Sequence, residues 1–154
     1  MGDSIVVGTD GSETAKLAVQ EAVRLAVALD APLHVVSAFE PLRGVRIAGA
    51  PEGAAKVWAP LPDAQVEAKL NEAAAAIRIA HADLDVSIHA VQNDPADALL
   101  KVAGEVGATM IVVGSKGMHG ARRFALGNVP NKVSHRADCN VLIVSTDPDW
   151  IGDS

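Results

Sequence analysis

Cysteine occurs once in this sequence, at Cys139, so no intrachain disulfide can form and a reducing compartment is expected. Aromatic residues are almost absent, with two Trp, two Phe and no Tyr, which removes the stacking platforms that single-stranded nucleic acid needs. No uncharged apolar run approaches roughly 18 residues, which excludes a membrane-spanning helix. The opening MGDSIVVGTDGS lacks a basic stretch followed by an apolar one and does not read as a signal peptide. A cytoplasmic location is the expectation from these absences. The net charge of −6 argues against nucleic acid as the main partner.

What is present is a chain of 154 residues, the size of one domain, with 49% apolar residues to fill a core. Its charge is unevenly spread. Between Val106 and Ala137 there is no Asp or Glu but there are five cations: Lys116, Arg122, Arg123, Lys132 and Arg136. That stretch carries +5 and the other 122 residues −11. A local cationic segment on an acidic protein suits a small anionic ligand, or else an ordinary solvated surface.

Apolar runs alternate with helical patterns. Ile5-Val6-Val7 is a short strand ending in Gly8-Thr9-Asp10-Gly11-Ser12, and Ser12 is placed to cap the following helix. In that helix Ala15, Ala18, Ala22, Leu25, Ala26 and Leu29 recur at helical spacing, with Lys16, Gln20 and Arg24 on the wet face. Asp30-Ala31-Pro32 stops it. Leu33 to Phe39 reads as a second strand, and residues 40–62 form a Gly/Pro/Ala-rich connection without a period. Asp63 opens a helix with Val66, Leu70, Ala73, Ala74 and Ile77 on one face. The alternation from Leu84 to Val91 predicts a strand with one wet face or an edge position. Asp94-Pro95 starts a helix that Gly107 ends. Met110 to Val113 is a buried central strand, Asn128 caps a fourth helix, and Val141 to Val144 is the last strand. Four βα units and a closing strand predict an α/β fold, an open five-stranded parallel sheet with helices on both faces.

In such sheets ligands bind beyond the carboxyl ends of the strands, where strand order reverses. Two glycine-bearing loops stand at such ends: Gly8 to Ser12, and Gly114-Ser115-Lys116-Gly117 continuing to Gly127-Asn128. Glycines let backbone amides converge on an anion, and a helix start adds unpaired N–H groups. Taken singly, these glycines could equally serve only tight turns, and Asp10 could cap the first helix. Neither a phosphate-binding loop of the G-x-x-x-x-G-K-[ST] type nor a G-x-G-x-x-G fingerprint is present. His34, His81, His89, His119 and His135 show no metal-ligand spacing, so packing or surface roles are expected. Cys139 reads as a small buried hydrophobe.

The sequence does contain G-x2-G-x9-G-N, as Gly114, Gly117, Gly127 and Asn128, together with V-G-T-D-G-S after the first strand, V-V-G-S-K-G after the fourth and the terminal N-V-L-I-V. In this ordered set the chain resembles the universal stress protein family, over essentially all of residues 1–154 as a single domain. The resemblance implies an adenine-nucleotide-binding module, with ATP and its Mg2+ as ligand, acting in stress response without strong catalysis. It implies that Gly8, Thr9 and Asp10 lie at the ribose or the nucleotide-bound metal, and that Val36 and Ala38 line an adenine slot. Gly114, Ser115, Lys116 and Gly117 would then approach ribose and phosphates, with Gly127, Asn128 and Val129 at the phosphate tail. The family usually carries Ser or Thr where Asn128 stands, which leaves the number of phosphates open. A cyclic AMP sink, a slow ATPase and a nucleotide-free interaction protein are the alternatives. The resemblance also implies a homodimer through residues 141–145, where an apolar edge strand invites association.

Overall fold

The structure is a computed structural model and describes residues 3–11, 13–39, 62–115 and 128–145. Lys116, Gly117, Gly127 and Ser12, all named above, lie outside the described residues, as do Arg122, Arg123, His119 and most of the 40–62 connection.

The elements follow one another as β1 (Ser4–Gly8), α1 (Glu13–Leu29), β2 (Leu33–Phe39), α2 (Pro62–Ala80), β3 (Val86–Gln92), α3 (Pro95–Val106), β4 (Ala108–Gly114), α4 (Asn128–Arg136) and β5 (Asn140–Val144). The strands form a five-stranded parallel sheet in the order β3-β2-β1-β4-β5. From β1 the chain steps outward to β2 and β3, then returns to lay β4 on the other side of β1. Right-handed crossovers made in opposite directions put their helices on opposite faces. Accordingly α1 and α2 cover one face and α3 and α4 the other.

The period-two alternation of the strands feeds both layers. On β1, Ile5 and Val7 join the α1/α2 core, while Val6 joins the α3/α4 core; all three are fully buried. Helix α1 lies against the sheet through Ala18, Ala22 and Ala26, each 0% exposed. Small side chains at that spacing keep the helix close to the strands. At its end Asp30 takes a left-handed conformation (φ 51°), and the chain reverses through Ala31 and Pro32 into β2.

Helix α3 starts as its sequence predicts. Asp94 caps it by accepting from the Asp97 amide, Pro95 stands in the first turn, and Gly107 closes it at φ 64°. Strand β3 begins at Val86, two residues later than the alternation indicates. The Leu84 amide is instead held in a turn by the His81 carbonyl at 3.1 Å. Of the two readings of its alternation, β3 takes the edge position, and β5 forms the opposite edge. Among the described residues no helix is long and apolar enough to cross a membrane.

Candidate functional site

The strand order reverses between β1 and β4, whose last paired positions are Val7 and Val112. Beyond them Gly8 stays paired with Val36 on β2, and Val113 and Gly114 with Ile143 and Val144 on β5. The Thr9 amide continues the ladder to Val36 O at 2.9 Å, and the Ser115 amide donates to Val144 O at 2.7 Å. Each strand therefore leans on its outer neighbour, which is the geometry that opens a crevice at a switch point.

A cavity of about 630 Å³ opens from this end of the sheet and runs between α1 and α2. Thr9, Asp10 and Gly11 form one side of it, and Ser37 and Ala38 at the end of β2 form another. Its floor is apolar: Leu70 and Ile77 are buried, and Val19, Val66 and Ala73 are half-buried. Its rim is polar and exposed, with Lys16 and Gln20 from α1 and Gln65, Lys69 and Glu72 from α2. An apolar slot with a charged mouth suits a ligand that has a flat apolar part and a polar tail.

The turn after β1 depends on Gly11, whose φ of 81° lies in the left-handed region. Its amide donates to Thr9 Oγ1 at 3.1 Å, tying the turn to the strand end. The Lys69 side chain crosses directly over it. A methyl at Gly11 would lie 3.1 Å from Lys69 Cδ and 3.7 Å from Nζ.

Of the residues singled out in the sequence, Thr9, Asp10 and Ala38 come together on the cavity wall. Gly8 faces the other layer: a methyl there would meet the Leu99 methyls of α3 at 3.1 and 3.2 Å. Val36, 2% exposed, packs in that same α3 core and contributes its carbonyl to Thr9. Gly114 ends β4 paired with Val144, followed by Ser115. Asn128 is the first residue of α4, with Val129 half-buried beside the α3/α4 core. The cavity also recruits Lys16 and Gln20, which the sequence reading left on a wet face, and three α2 residues that it did not single out. Lys16 and Gln20 are one turn apart on α1, and Gln65, Lys69 and Glu72 follow one another at four and three residues on α2. That shared spacing is the signal that marks them as one stripe on each helix.

Two cations of the basic stretch are engaged elsewhere. Lys132 reaches Asp94 at 3.1 Å and Asp97 at 3.7 Å, and Arg136 reaches Asp97 at 2.7 Å. They tie α4 to α3 and neutralise the first turn of α3. Burial pushes the Asp94 carboxyl up, but the Lys132 ammonium and the Asp97 and Ala96 amides outweigh it and hold the group below its ordinary range. Cys139 is half-buried, and burial, with Asp138 beside it, raises its thiol, as fits a packing residue. Among the described residues no group of three or more His, Cys, Asp or Glu is placed to hold a metal ion.

Sheet, layers and cavity define a doubly wound α/β protein with a ligand-sized opening at the carboxyl ends of β1 and β2. The chain belongs to the universal stress protein family, which it matches over residues 1–145. It is 36% identical over 147 residues to the universal stress protein Rv1636 of Mycobacterium tuberculosis, covering 93% of this chain and 96% of that one. To the stress response protein NhaX of Bacillus subtilis it is 28% identical over 163 residues, covering 92% and 97%. Among solved structures, a universal stress protein crystallised in complex with cAMP superposes with a TM-score of 0.70 at 32% identity, covering 94% of this chain and 98% of that one. A universal stress protein from Archaeoglobus fulgidus shares the fold at a TM-score of 0.64 and 22% identity, covering 92% and 93%.

Proposed function

We propose that this protein is an adenine-nucleotide-binding module of the stress response, acting by binding and without strong catalysis. The observation that carries the reading is the cavity at the carboxyl ends of β1 and β2, apolar at its floor and polar at its mouth, reached by Thr9, Asp10 and Ala38. Its volume of about 630 Å³ lies in the range of small-molecule sites. In this reading the base lies on the apolar floor, and Gly8, Thr9, Asp10, Gly114 and Ser115 surround the sugar and the first phosphate. Lys116, Gly117, Gly127, Asn128 and Val129 complete the phosphate side. ATP is the ligand first proposed. Magnesium would arrive on the nucleotide, with Asp10 as the protein group nearest it, since no ready-made cluster of metal ligands stands among the described residues.

Cyclic AMP is the second reading, supported by the 32%-identical relative crystallised with it. A single phosphate would leave the departure at Asn128 without consequence. Calorimetric titration of nucleotide-stripped protein with ATP plus magnesium, and with cyclic AMP in competition, separates the two. Saturable binding that Gly114→Ala abolishes supports the module. If neither nucleotide binds, the site is vestigial and the protein works through partners. An ATP hydrolysis rate that Asp10→Ala and Gly114→Ala leave unchanged removes the slow-ATPase reading.

The same proposal places the protein in the cytoplasm as one domain over residues 1–154, and as a homodimer through residues 141–145. The dimer reading is supported by the edge position of β5, with Val141 to Val144 only half-buried. A monomer in sedimentation at micromolar concentration would remove it.

A further inference from the structure

We propose that Lys69 of α2 is the cation that receives the anionic part of the ligand, an assignment that rests on the nucleotide reading of the same cavity. The side chain has a defined place: its aliphatic stem lies over Gly11, with Nζ 3.7 Å from where a methyl on that glycine would stand. A β-carbon at residue 11 would crowd the stem, so the turn and the lysine fit together. The charge is at the exposed mouth of the cavity, while Leu70, the next residue on α2, forms the buried floor. Two neighbouring stripes of one helix thus supply the apolar surface and the cation, and set the direction in which a ligand lies.

Charge balance assigns the role. Among the described residues the cavity is lined by two carboxylates, Asp10 and Glu72, and two ammonium groups, Lys16 and Lys69. With both lysines the lining is neutral and tolerates a phosphate; without Lys69 it carries −1 and repels one. Among the described residues no carboxylate forms an ion pair with Lys69, whereas Lys132 and Arg136 are held by Asp94 and Asp97. Among the described residues the phosphate-facing cation is thus contributed by α2, in addition to the glycine-bearing loop that carries Lys116.

The test compares wild type, Lys69→Met, which keeps the stem without the charge, and Lys69→Arg, which keeps both. Each is titrated with ATP, cyclic AMP, adenosine and tripolyphosphate, after circular dichroism confirms equal folding. The expected result for Lys69→Met is about tenfold weaker ATP binding, a smaller loss for cyclic AMP and none for adenosine, with Lys69→Arg near wild type. Unchanged ATP affinity in Lys69→Met overturns the assignment and leaves the nucleotide reading standing. Tripolyphosphate binding that depends on Lys69, in a protein with no preference for ATP, keeps the assignment and overturns the nucleotide reading. A wild type that binds neither ATP nor tripolyphosphate overturns both.

Discussion

His34 Nδ1 on β2 and His89 Nε2 on β3 lie 2.9 Å apart, joining two strands through residues 55 positions apart in sequence. The rings are tilted at 41° with centroids 5.1 Å apart, on the face of the sheet that α3 covers. One proton fits between the two nitrogens; with both imidazoles charged, two N–H groups would point at each other.

Stability should therefore fall in mild acid. Burial lowers the His34 pKa, with His89 adding to the effect and Asp85 opposing it; burial also lowers that of His89, opposed by Glu105. Groups kept neutral in the folded state bind more protons when unfolded. Their contribution is complete above the unfolded value of about 6.5 and is lost as pH drops toward the folded values. Urea midpoints measured from pH 7.5 to 5 should decline, and less steeply in His89→Gln. Equal slopes in the two proteins would exclude the pair as the cause.

Gly8→Ala should destabilise by about 1–2 kcal/mol, because its methyl meets the Leu99 methyls at 3.1 and 3.2 Å. Leu99→Ala alone should cost about 2–4 kcal/mol through the cavity it leaves. The double variant should cost clearly less than the sum, since each change relieves the other. Additivity in urea unfolding would show that the two sites are not in contact.

Gly104 and Gly107 both have open space where a methyl would go, but only Gly107 has a positive φ. Gly104→Ala, inside α3, should stabilise by about 0.5–1 kcal/mol. Gly107→Ala should destabilise by about 1 kcal/mol, because the left-handed cap disfavours a β-carbon. Thermal unfolding of both variants reads the contrast directly; shifts of the same sign would sink it.

Asp94→Ala and Asp97→Ala should separate by salt. Asp94 caps α3 and also pairs with Lys132, so its loss costs about 1 kcal/mol, of which the capping part persists at high salt. Asp97 serves exposed ion pairs with Lys132 and Arg136, so its loss costs at most about 0.5 kcal/mol and vanishes near 1 M salt. A salt-insensitive Asp97→Ala effect would mean the pairs are not its cause.

The sequence by itself determined the order of strands and helices, because period and punctuation are local properties. Asp94-Pro95 and Gly107 announce the ends of α3, and the apolar run Met110–Val113 announces a central strand. The glycine at the end of β1 also pointed to the carboxyl edge of the sheet, where the cavity opens beside Thr9, Asp10 and Gly11. Only the tertiary structure decided which residues line that cavity. Gly8 reads like Gly11 in the sequence, yet it yields space to Leu99 on one face while Gly11 yields space to Lys69 on the other. Lys132 and Arg136 read as free cations until α3 brings Asp94 and Asp97 against them. Helical spacing puts Lys69 on a stripe with Gln65 and Glu72 but does not say what that stripe faces, and the His34–His89 pair carries no local mark at all. Their partners come from distant segments, and such contacts exist only once crossover direction and strand order have fixed which helix covers which face.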